Sequence, residues 1–329
     1  MAYVGSYTSE GGVGLATASV DPATGTLTVG PTVPDVPDAS WLARSGRYLY
    51  ATNEQEPTGS VTALDLSGPT VLNRQSTEGG APTHLSVHPS GRYLLAANYG
   101  SGSVAVLPLS PSGLLGPLTD LVRHKGSQPH AHQIITDPSG HWVLAVDLGD
   151  DSVYVYRLDL ETGKLRLSDR VTVATGSGPR HLVFHPSGGR AYLVCELSSQ
   201  VIVCGWDPPG GKLTTGQVIG TVPAGGVTPN FPAEGVMAPD GRFLYVTNRG
   251  DNSIATFAVH DDRISLLGTT PCGGDWPRHA TLDPTGRWLY VSNQRSGTVA
   301  WLPRDPGSGL LSPVAGTTKA TAVAMVLFA

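Results

Sequence analysis

The sequence predicts an all-β fold, a seven-bladed β-propeller of four-stranded blades forming a single domain over residues 1–329. Three observations carry this: a turn motif recurs six times, the step between copies is nearly constant, and the chain enters the repeat midway while ending on an unmatched strand. The motif reads SGRYLY at Ser45, SGRYLL at Ser90, SGHWVL at Ser139, SGGRAYL at Ser187, DGRFLY at Asp240 and TGRWLY at Thr285. Its glycines, Gly46, Gly91, Gly140, Gly188, Gly241 and Gly286, are separated by 45, 49, 48, 53 and 45 residues, the period of a propeller blade. The 42 glycines and 27 prolines suit short strands and tight turns rather than helices, and 40% hydrophobic residues are enough for a core.

Within the copy running from Thr83, the turn signals PSG, YGSGS and SPSG divide four strands. They are an inner strand over 84–88, a second over 93–98, a third over 103–107 and an outer one over 114–122. The N-terminal residues 3–6 resemble a second strand, 14–20 a third and 26–33 an outer one. Their inner strand is missing, and the apolar segment 321–328 is expected to supply it and close the ring, leaving no unpaired inner edge.

A net charge of -5 and a pI near 6.0 give no basic footprint for nucleic acid or an anionic membrane surface. The cysteines, Cys195, Cys204 and Cys272, are odd in number and lack CxxC spacing, which argues against a disulfide framework and a zinc site and for a reducing compartment. The segment MAYVGSYTSE has no basic region followed by an apolar one, and the largely apolar stretch of ten residues over 320–329 is too short to span a bilayer, so the cytoplasm is expected. There is no GxSxG elbow, no Walker loop, and no GxGxxG between a strand and a helix.

The repeat glycine is a ruler for equivalent positions. Eight residues before it stand Asp38, Thr83, His132, Arg180, Ala233 and Arg278, and eight after it Glu54, Tyr99, Leu148, Glu196, Arg249 and Gln294. The first set enters the inner strand and the second leaves the next strand, so both belong to the end opposite the glycine turn and share one mouth of the central channel. One residue earlier than the second set, Asn53, Asn98, Asn248 and Asn293 recur with Asp147 and Cys195, as turn chemistry would. The two rings instead vary between cationic, anionic, imidazole and aromatic residues, as a site grafted on a scaffold does, although wet propeller rims also carry ordinary solvated charge. Arginines converging with a carboxylate and an imidazole fit a small anionic substrate, with a proton to be moved by the carboxylate or imidazole.

His84, His181 and His279, seven residues before the glycine, are expected to be structural, and His88 and His185 to be turn residues. In PHAHQ, His130 and His132 alternate along a strand and should point to opposite sides, which weighs against a metal site. No motif calls for a cofactor.

YVGSYT, LYATNE, HPSGRYLLAANYGSGSV, PHAHQ, DLGDD, GPRH with CEL, and YVTNRGDNSI together resemble the lactonase-type seven-bladed propellers, a family that includes 6-phosphogluconolactonases and fungal 3-carboxy-cis,cis-muconate lactonizing enzymes. The resemblance covers essentially the whole chain. It implies catalytic roles for His132, Arg180, Glu196 and Arg249, with Arg278 the rival for the last. Arg278, Glu54, His130 and Asp147 are the expected substrate-binding residues around that set. Cys195, where the repeat favours asparagine, departs from the pattern just before Glu196. The resemblance implies hydrolysis of a small anionic sugar lactone, 6-phosphogluconolactone first. A muconate-type cycloisomerase on the same residues and a non-catalytic binding platform stand as alternatives. The expected assembly is a monomer or weak homo-oligomer.

Overall fold

The computed structural model describes residues 1–329 and contains 28 strands and no helix. The strands form seven antiparallel sheets of four, each a blade. Blade 1 joins the chain ends: the C-terminal Val323–Phe328 is its inner strand and pairs with Ala2–Ser6, followed by Leu15–Val20 and Leu27–Val33. Ala2 lies opposite Phe328 and Val4 opposite Val326. The inner strands of blades 2 to 7 are Leu42–Ser45, Pro82–Val87, Ala131–Thr136, Pro179–Phe184, Phe231–Met237 and Pro277–Leu282. Closure by the C-terminal strand and all seven blades are therefore as expected.

The core lies between blades rather than within one. Second strands such as Tyr93–Asn98 are buried along their whole length, because both faces of each sheet meet a neighbouring blade. One apolar cluster accordingly joins Leu144 and Val155 of blade 4 to Leu193 and Trp206 of blade 5. Blades are also latched by hydroxyls. Tyr50, Tyr245 and Tyr290, four residues after the repeat glycine, donate to the carbonyls of Gly113, Gly309 and Gly25 in the outer hairpin of the next blade, at 3.2, 2.7 and 2.6 Å.

The outer strand expected over 114–122 is shorter and later: regular pairing covers only Asp120–Arg123, preceded by an isolated bridge between Leu109 and Leu115. Pro117 lies within the expected range, and prolines have no amide to give a ladder.

The recurring asparagines act between blades. The Asn53, Asn248 and Asn293 side chains donate to the carbonyls of Pro37, Thr221 and Cys272 in the segment that arrives from the preceding blade. All three cysteines are free and buried. No helix is long and apolar enough to cross a membrane.

Candidate active site

The site residues are raised by a defect in the ladder. In blade 5, Pro179 pairs with Cys195 and His181 with Val194, so Arg180 is skipped. The same one-residue bulge skips Thr83 in blade 3, His132 in blade 4 and Arg278 in blade 7. In blade 6, Ala233 and Glu234 together stand against Thr247, and in blade 1 Ala324 is skipped. A bulge re-aims side chains and breaks the alternation of a strand. On the inner strands of blades 3 to 7, two consecutive residues can therefore face the channel, those eight and those seven before the repeat glycine, whereas the blade 2 strand has no bulge.

At the mouth, Glu196 bridges two arginines. Its Oε2 is 3.1 Å from Arg180 Nε and 2.5 Å from an Arg249 terminal nitrogen. Arg180 Nη1 also donates to the Ala233 carbonyl at 2.6 Å, and Arg249 Nε to the Phe231 carbonyl at 3.0 Å, so both guanidinium groups are held by backbone as well as by charge. Arg278 turns to the other carboxylate, Glu54, at 3.5 Å, and lies 5.4 Å from the Tyr7 ring centre. Tyr7 donates its hydroxyl proton to Glu54 at 2.8 Å. Thus Arg249 contacts Glu196 and Arg278 contacts Glu54, and neither replaces the other. Arg249 also sits 5.2 Å from the Trp276 ring centre.

Burial draws Arg180 down to about 9, helped by the nearby Arg249 and Arg278 and opposed by Glu196. Burial pulls Arg249 down as well, against Glu196. For Arg278 burial is outweighed by Tyr7, Glu54 and Glu196, which hold it above its ordinary value. Burial, then Arg180 and His181, push His132 well below the usual histidine range. That imidazole is neutral, and its Nδ1 has no partner.

His130 stands at the rim, its ring stacked on Tyr99 at 4.5 Å and its Nδ1 2.9 Å from the Tyr99 carbonyl oxygen. Asp147 is a correction. Its carboxylate is wholly buried, meets His124 Nδ1 at 2.6 Å and accepts from the amides of His130 and Asp150. It fixes the loop between blades, as asparagine does elsewhere, and has no surface to offer a substrate. Cys195 leaves Glu196 secured, because the Glu196 amide donates to the Gly178 carbonyl at 2.7 Å.

The histidines seven residues before the glycine, expected to be structural, are buried in the central channel, where His84 Nδ1 accepts from the Ile134 amide of the next blade. Trp41 of blade 2 lies 4.3 Å from His84 of blade 3, 5.3 Å from His181 of blade 5 and 5.4 Å from His279 of blade 7, centre to centre. Side chains from blades so far apart around the ring meet only in the central channel. His132 joins them, 5.2 Å from His181, and Glu234 accepts from His181. The expected opposition of His130 and His132 is not found: both rings lie against Tyr99, at 4.5 and 5.8 Å centre to centre, because the bulge at His132 breaks the alternation. No three His, Cys, Asp or Glu side chains are grouped closely enough to hold a metal ion, and the neighbouring guanidinium groups oppose a cation.

Glycine spacing misses Tyr7, Trp41, Trp276 and Glu234. Tyr7 follows Ser6 as Glu54 follows Asn53, so it is the blade 1 member of the second ring, but that blade has no turn glycine from which to count. The strand pattern at YVGSYT was the available signal.

Channel and mouth together define a propeller with buried arginines and carboxylates paired at one mouth. The chain belongs to the family described as lactonase, 7-bladed beta-propeller, which it matches over residues 1–328. It is 32% identical over 333 residues to the 6-phosphogluconolactonase of Bacillus subtilis, covering 96% of this chain and 95% of that one. It is 34% identical over 258 residues to the 6-phosphogluconolactonase of Pectobacterium carotovorum, covering 76% of each. Among solved structures, a Lactobacillus plantarum protein superposes with a TM-score of 0.95 at 32% identity, over 100% of this chain and 98% of that one. The periplasmic gluconolactonase of Pseudomonas aeruginosa superposes with a TM-score of 0.93 at 31% identity, over 99% and 97%.

Proposed function

We propose that this protein is a lactonase that hydrolyses a small anionic sugar lactone, with 6-phosphogluconolactone as its substrate. The observation that carries the reading is the pair of buried arginines, Arg180 and Arg249, converging on Glu196 beside the unpartnered His132. Relatives named as 6-phosphogluconolactonases support the substrate class and favour hydrolysis over cycloisomerisation.

Arg180 and Arg249 are preorganised to stabilise the negative charge that develops on the lactone carbonyl oxygen, while Arg278 holds the anionic end of the substrate. Glu196, with 18% of its side chain exposed between arginines exposed by only 3% and 6%, is the group that a water molecule reaches. It takes the proton as the water oxygen bonds to the carbonyl carbon. The tetrahedral intermediate then collapses, the ring C–O bond breaks, and the proton passes to the departing alkoxide, giving the hydroxy acid. His132 is a weak base because its charged form is disfavoured, so it serves as a hydrogen-bonding group that orients water or substrate. The free, buried cysteines fit the cytoplasm as the working compartment.

The test is the rate of 6-phosphogluconolactone loss above its spontaneous hydrolysis. Glu196→Gln and Arg180→Ala should each lower kcat/KM by about a hundredfold or more, with His132→Asn less severe. A wild-type rate equal to the spontaneous one across the pH range defeats this reading.

A further inference from the structure

Glu234 lies on the inner strand of blade 6, one residue after Ala233, whose carbonyl holds Arg180. The bulge removes the ladder partner of its amide, which donates instead to Thr247 Oγ1 at 2.9 Å. Its carboxylate oxygens lie 3.2 and 3.1 Å from His181 Nδ1, which hydrogen-bonds Oε1 and leaves Oε2 buried without a partner. Blades 5 and 6 are therefore tied twice at adjacent residues, Arg180 to Ala233 and His181 to Glu234.

Charged and titratable groups face this carboxylate from every neighbouring element. Blade 5 brings Arg180 and His181, with Glu196 just beyond its second strand, and blade 7 brings Arg278 and His279. Arg249 ends the second strand of blade 6 itself, and His84 and His132 lie across the channel. Burial keeps all four imidazoles neutral. Burial also raises the Glu234 carboxyl to about 7, against the pull of His279, Arg180 and Arg278.

We propose that Glu234 is a specificity-determining residue that sets how strongly the mouth holds an anion, by placing or withdrawing a negative charge directly behind Arg180. This rests on reading the mouth as the lactone site. When Glu234 is protonated, the guanidinium groups of Arg180, Arg249 and Arg278 face only Glu196 and Glu54, and the excess positive charge favours an anionic ligand. When it ionises, a third carboxylate cancels that excess. A proton passing between Glu234 and His181 leaves the net charge of the pair unchanged, whereas its loss to solvent does not, so the pair titrates as a unit. Anion affinity therefore falls as pH rises through neutrality.

The experiment measures binding of 6-phosphogluconate by titration calorimetry to the full chain and to Glu234→Gln, which keeps an acceptor for His181. The ratio of the two Kd values at each pH cancels the titration of the ligand's own phosphate. The wild type should bind about as well as the variant near pH 6 and about three- to tenfold more weakly near pH 8. A ratio that does not change with pH overturns the proposal. Glu234→Asp should retain the pH dependence, and its loss there would also count against a role for charge. Carboxyl NMR of the wild-type protein needs no variant: saturating 6-phosphogluconate or sulfate must raise the Glu234 titration midpoint by linkage, and an unmoved midpoint in sulfate overturns the proposal. Sulfate reports on Glu234 whether or not the lactone product binds. Absence of lactone turnover with a moving midpoint would sink the lactonase reading alone, and turnover with a fixed midpoint would sink only the role of Glu234.

Discussion

Four imidazoles, those of His84, His132, His181 and His279, sit in the channel and are held neutral chiefly by burial, His279 down at about 4. In the unfolded chain each takes a proton as pH falls through about 6.5, and in the folded chain it does not. Their contribution to stability is therefore complete above that value and lost below it. Glu234 acts with the opposite sign, because its raised carboxyl is protonated in the folded state before the unfolded one, so lowering the pH favours the fold there. Four groups against one leave a net loss of stability as pH falls from about 6 to about 5. Scanning calorimetry should show Tm falling over that range, less so in a His84→Gln, His279→Gln double variant, and a flat profile would refute the account. These residues also mark how far single positions can be read from sequence. Arg180, Glu196, Arg249 and Arg278 are legible because each breaks the pattern of its repeat at a fixed distance from a glycine. Glu234 is hidden behind an ordinary Ala233, and only the bulge turns both toward the channel side of the strand.

Element boundaries follow hydrogen-bond supply. Strand alternation predicts opposite directions for neighbours such as Arg180 and His181, yet the skipped residue in the ladder lets a mouth arginine and a channel histidine occupy consecutive positions. A bulge has no sequence signature in a single chain, so the channel lining could not be separated from structural histidines beforehand. The outer hairpins are more legible, because their turns are spelled in glycine. Gly309 shows why that residue is required. Its φ of +73° is in the left-handed region, its carbonyl accepts the Tyr245 hydroxyl of the preceding blade, and any Cβ there would overlap the Phe243 ring. Gly309→Ala should cost about 2 kcal/mol or more through backbone strain and overpacking together. Denaturant unfolding measures this directly. The same substitution at Gly68, which has open space around it and no positive φ, should be near neutral; equal costs at both sites would show that the latch contributes nothing.

At the scale of the whole ring, stability depends on a joint between residues more than 300 positions apart, roughly the length of the chain. The inner strand Val323–Phe328 supplies Val323 and Val326 to a cluster that also contains Val4 of its own blade and Tyr290 and Trp301 of blade 7. Without it, the strand Ala2–Ser6 would present an unpaired apolar edge to the channel, and blade 7 would lose the surface against which it packs. The repeat predicts this joint because a strand is missing at one end and surplus at the other, whereas no local propensity distinguishes 323–328 from any other apolar strand. A charge inserted at the joint should therefore act on the whole molecule. Val326→Asp places a carboxylate at a fully buried position and should cost several kcal/mol, lowering the midpoint of unfolding seen by both near- and far-ultraviolet circular dichroism. Leu167→Asp, on an outer strand where the side chain is 59% exposed, adds the same charge and should leave that midpoint almost unchanged. If Val326→Asp instead loses one blade's signal while the rest unfolds at the wild-type midpoint, the blades are independent and the closure does not couple them.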